Sequence, residues 1–246
     1  MLHPNWPVYL QILLDIHIAC GVIGFICAPV ALATAKGGKT HRRWGKIYFW
    51  CMTGVAITAL ILSIALPIAF LAMVSVFSFY AAFAGYRILY LKDMYPRNGS
   101  EPGHAKPIDW AAAILTIASS AILFAMGFWK PYLMHVGIII VAGHPISIVS
   151  VVFGLLGIRL GANSITGFLK RPKTKMFWWF GHMQGMIASY IAAMTAFSAV
   201  NLGHWFGAAW WVWLWPTLIG VPAIALWTRY YEKKFAPKPA AVTSAR

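Results

Sequence analysis

Three histidines lie deep inside long apolar runs of this chain: His17, His144 and His182. Imidazole is the side chain that ligates transition metals and carries protons near neutral pH, so histidines in such surroundings are where chemistry is to be sought first. Counting ~1.5 Å per helical residue from the ends of runs 8–35, 132–160 and 176–200 sets depths in a ~30 Å hydrocarbon layer. His17 falls ~14 Å and His144 ~18 Å from the outer side, and His182 ~9 Å from the inner side, so all three are expected in one mid-membrane band. Small residues share their helical stripes: Gly21, Gly24, Ala28 and Ala31 with His17; Gly137, Ser147 and Gly154 with His144; Gly185, Ser189, Ala192 and Ala196 with His182. Helices approach one another over such residues, which predicts inward imidazoles. Neutral imidazoles on facing helices hold haem b, and they also hold copper or zinc, so His17, His144 and His182 are the candidate ligands of a haem or another metal in an electron-transport role. Interhelical hydrogen bonding would place them in the same way. Asp15 is about 200° around the helix from His17 and shares a face with Gln11, as a proton relay or as the cap of a polar outer vestibule. His135 sits shallowly at the outer end of its run.

The elements that must position these groups follow from composition. The chain has 246 residues, 61% hydrophobic and 10% charged, with a mean hydropathy of +0.71, values that exclude a water-soluble globule. Seven stretches long enough to cross a bilayer can be drawn, over residues 8–35, 47–66, 68–91, 110–128, 132–160, 176–200 and 208–231. Nineteen of the twenty Lys and Arg residues then fall on one side, leaving only Lys130 on the other. The positive-inside rule therefore predicts an all-α, seven-helix integral membrane protein with its N-terminus outside and its C-terminus inside. One transmembrane domain over 1–235 is expected, followed by a disordered cytoplasmic tail, 236–246. The first run is too long and lacks the basic start of a cleavable signal. Trp6, Trp129, Trp205, Trp210 and Trp211 would form an outer aromatic belt, and Trp44, Trp110, Trp178 and Tyr95 an inner one. Cys20, Cys27 and Cys51 read as small packing residues.

A net charge of +15 invites nucleic-acid binding, but the basic residues occupy short gaps between apolar runs, so the main partner is the lipid bilayer. The segment ATAKGGKT, 33–40, matches a loose phosphate loop without the strand that must precede one, and nucleotide binding is not expected. No lysine for a retinal Schiff base stands in the last span, and the histidine set of membrane zinc hydrolases is missing. The element HRRWGKIY, 41–48, is denser in polar groups than topology requires. His41, Arg42 and Arg43 are candidates for an inner-rim anion or lipid site, a headgroup clamp with Trp44 and Tyr48 as anchors, or a quinone or second-haem site.

Together, the histidine within 16–24, the HRRWGKIY element and the run GHMQGMIASY, 181–190, resemble an uncharacterised family of predicted bacterial multi-span membrane proteins. The resemblance implies a bacterial inner, that is cytoplasmic, membrane location and marks His17, His41 and His182, while His144 has no place in the pattern. Two other classes stay open. One is an accessory or assembly subunit of a larger membrane complex, presenting Trp213, Trp215 and Trp227 outward; the other is a small-solute or proton-coupled transporter, with broken-helix signals at His144-Pro145, Pro216 and Pro222.

Overall fold

The computed structural model describes residues 6–66, 68–95, 103–128, 145–170, 172–206 and 209–236. Lys130, His135, His144 and the tail beyond residue 236 lie outside them. Seven helices among the described residues are long and apolar enough to cross a membrane, and the chain is an all-helical, multi-pass membrane protein. They are α1 (Val8–Ala33), α2 (Lys39–Ala65), α3 (Ala69–Arg87), α4 (Pro107–Met126), α5 (Pro145–Leu169), α6 (Phe177–Asn201) and α7 (Trp210–Phe235).

Two boundaries depart from the expectation and matter for the site. Helix α2 begins at Lys39, eight residues before the apolar run, so HRRWGKIY forms its first turns. Lys and Arg are good helix formers, and hydropathy reports where the lipid begins rather than where the helix does. Helix α1 stops at Ala33, and Gly37, in the left-handed region at φ 78°, turns the chain into α2. Helix α7 runs through both Pro216 and Pro222 without a break, which removes them as broken-helix signals.

Helix α1 leans on α2, α2 on α3, α4 on α5 and α6 on α7, while α3 lies at the centre against α2, α4 and α6. The ends carrying the basic connections meet: Arg87 pairs with Asp109 at 2.7 Å, the Lys92 ammonium lies 4.0 Å over Trp178, Trp110 packs on Phe168, and Trp179 packs on Phe235. Asp109 is buried and also accepts the Lys106 backbone N–H at 2.8 Å, so its charge is fully paired at the start of α4.

Two apolar cores result. One, away from the basic rim, gathers Phe70, Leu123, Phe153, Val212 and Trp213. There Trp213 stands edge-on to Phe70, and the Trp215 indole donates to Ser198, so two of the three tryptophans expected outward face the bundle; Trp227 stays exposed. The other core, nearer the basic rim, joins Cys27, Ala28, Tyr48, Phe49, Met52 and Ala82. All three cysteines are free.

Candidate functional site

The small-residue stripe of α6 presses hardest on α3. A Cβ added to Gly185 would lie 2.6 Å from Gly85 Cα, and one added to Gly85 would lie 2.8 Å from the Met186 nitrogen, so the two backbones touch. That crossing carries His182, one turn before Gly185, up to the Gly85 carbonyl, to which its Nδ1–H donates at 2.8 Å. On the neighbouring side the early start of α2 brings His41 to the end of α1, where its Nδ1–H donates to the Ala31 carbonyl at 2.9 Å. The two rings meet edge to face at the rim, with centroids 6.2 Å apart and planes at 81°.

A carbonyl only accepts, so in each ring Nδ1 bears the proton and, in the neutral form, Nε2 keeps its lone pair. Histidines that bind metals are oriented in this way, by a carbonyl on the far nitrogen. Four helices thus supply one pair: α2 and α6 give the rings, α1 and α3 give the carbonyls. Just behind it, Ser189 donates to the Met186 carbonyl at 2.9 Å, which obliges the buried Tyr48 hydroxyl to donate to Ser189 at 2.7 Å and ties α2 to α6. Lys36 and Lys92 sit within electrostatic reach of His182. Lys36 donates to the Leu32 carbonyl, and partial burial draws its pKa down from the ordinary lysine value. Gly45, one turn beyond His41 and close to its face of α2, has nothing within 4 Å of where a Cβ would stand.

His17 lies elsewhere. Its Nδ1–H donates to Thr58 Oγ1 at 3.0 Å, with the Val55 carbonyl at 3.2 Å, while Thr58 gives its own proton to the Gly54 carbonyl at 2.7 Å. Val55 and Thr58 stand about 21–26 Å along α2 from His41, so His17 and His182 cannot flank one ion or macrocycle. This corrects the single mid-membrane band. Helices α1 and α6 start where the depth count placed them, but their neighbours differ: His182 meets the end of α3 at Gly85, and His17 meets the far half of α2. The third member of that band, His144, lies outside the described residues. Asp15 is exposed on the flank of α1, and Gln11 turns to the Trp6 carbonyl instead.

The rim set splits as well. His41 and Tyr48 point into the bundle, and Tyr48, expected as a headgroup anchor, is only 1% exposed; Arg42 and Arg43 point out. Sequence reasoning marked His41 but did not pair it with His182, because nothing local ties the start of one helix to that of another four helices later. Among the described residues no three His, Cys, Asp or Glu side chains are placed to share an ion. No family model, curated protein or solved structure matches this chain, and what it does is to be read from this geometry alone.

Proposed function

We propose that this protein is a redox carrier of the bacterial cytoplasmic membrane that binds haem b at its basic rim, where His41 and His182 would hold it. The pair itself carries the proposal: two imidazoles from different helices, each fixed through Nδ1, 6.2 Å apart between ring centres. A metal held by both rings would need a spacing of this order, each metal–nitrogen bond being about 2.1 Å. A bare ion would call for further protein ligands, and no third His, Cys, Asp or Glu among the described residues joins the pair. A haem brings four nitrogens of its own, so two side chains suffice.

The surroundings fit that group. Lys36 and Lys92, which lie within electrostatic reach of His182, would supply positive charge for the propionates. Bound there, haem supplies one-electron transfer. The chain's part would be to hold the rings in place and to make each imidazole a better donor through its N–H to carbonyl bond. By the positive-inside rule the basic rim faces the cytoplasm. His17, bonded to a hydroxyl and a carbonyl of α2, serves as a helix–helix link.

Absorbance of the full-length protein, purified in mild detergent after expression with added haem precursor, tests this. One haem per chain with a dithionite-reduced spectrum of six-coordinate haem b is expected, and His41→Ala and His182→Ala each lose it while His17→Ala keeps it. A colourless protein that also fails to take up haemin overturns the proposal.

A further inference from the structure

The outward face of α2 is a different object from its inward one. Lys39, Arg42, Arg43 and Lys46, at helical spacings of three and four, line an open recess of about 380 Å³. All four are exposed, and no ion pair among the described residues neutralises any of them. Like charges so spaced raise the energy of a helix unless anions screen them. Beyond the recess the same stripe turns apolar: Trp50 is 66% exposed, Ile57 56%, Ile61 42% and Ile64 71%. Trp50, Ile57 and Ile64 follow Arg43 at successive intervals of seven residues, so cations, indole and aliphatic chains form one continuous strip. From Trp50 to Ile64 the strip extends about 21 Å, enough to accompany an acyl chain through one leaflet. His41, Tyr48 and Met52 occupy the opposite side and are spoken for by the bundle.

We propose that Lys39, Arg42, Arg43 and Lys46 form a binding site for an anionic phospholipid, its phosphate in the recess and its acyl chain along Trp50, Ile57, Ile61 and Ile64. Four cations around one recess favour a headgroup with more than one negative charge over a singly charged one. Free phosphate shares the headgroup chemistry but has no use for the apolar half of the strip. The site is independent of haem: it faces away from His41 and involves neither imidazole.

Native mass spectrometry of the full-length protein, released from neutral detergent, tests the site with three probes: a diphosphate-bearing phospholipid, phosphatidylcholine and inorganic pyrophosphate. The diphosphate lipid is expected to be retained at least about tenfold better than phosphatidylcholine, and the double variant Arg42→Gln/Arg43→Gln to lose about that factor. Trp50→Ala weakens the lipid and leaves pyrophosphate unaffected. The pair Lys233→Gln/Lys234→Gln, at the end of α7, is the control for general surface charge and should retain the lipid. Equal retention of the two lipids overturns the proposal. So does an equal loss in the control pair, or a Trp50→Ala variant that binds the lipid as well as wild type, which would leave a free-anion site. Thermal unfolding in detergent separates loss of binding from loss of fold.

Discussion

The basic rim and the far half of the α1–α2 pair use one local device to different ends. In both, a histidine donates Nδ1–H to an oxygen of the neighbouring helix: His41 to Ala31 and His182 to Gly85 at the rim, His17 to Thr58 further in. At the rim, a second imidazole stands 6.2 Å away; near His17 the bond is completed by a hydroxyl that is itself tied to Gly54. An anchored imidazole is therefore no sign of a site. What distinguishes the rim is that its anchored imidazole has a second anchored imidazole as neighbour, whereas His17 has a hydroxyl.

That contrast can be broken at the backbone. Gly185→Ala drives a Cβ into Gly85 Cα, which cannot rotate away, and must part α3 from α6. A cost of about 1–3 kcal/mol is expected, with haem occupancy falling about tenfold or more as His182 leaves its carbonyl. Gly54→Ala is the counterpart on α2: its Cβ would meet the Cys20 thiol at 2.8 Å, a flexible end that can turn aside, so occupancy should hold. Haem-to-protein ratios of the two variants decide the point, and an equal effect would erase the difference between the two regions.

The rim also depends on where α3 ends. Arg87, two residues after Gly85, is pinned by the buried Asp109, and Asp109→Asn removes one member of the pair. Breaking such a pair costs about 3 kcal/mol, and chemical denaturation in detergent should register the loss together with a looser His182. Unchanged stability would mean that water at the rim already screens the ion pair.

Far smaller is the effect expected at the other station. Thr58→Val deletes the hydroxyl that receives His17, and hydrogen bonds between membrane helices average about 0.6 kcal/mol. Denaturation midpoints should shift by little and the spectrum of haemin-loaded protein not at all; a spectral change would make His17 part of the proposed haem site.

The architecture was legible in the sequence because lipid allows few solutions. Apolar run lengths and the alternation of Lys and Arg sufficed for seven helices, and the Gly185 and Ser189 stripe pointed His182 inward as found. The site was legible only in its parts. His41 carried a motif and His182 a small-residue face, yet their meeting depends on α2 beginning at Lys39 and on α3 and α6 crossing at Gly85 and Gly185, neither of which hydropathy encodes. Trp213 misled for a related reason. A helix apolar all round has no face that sequence alone marks as buried, and packing on Phe70 settled it.

Electron paramagnetic resonance of the oxidised, haemin-loaded protein tests the proposed haem most directly. If His41 and His182 hold the haem, a low-spin signal is expected, converted to high spin or lost in His41→Ala and in His182→Ala and retained in His17→Ala. A low-spin signal that survives both rim substitutions would contradict the account and move the ligands elsewhere in the bundle.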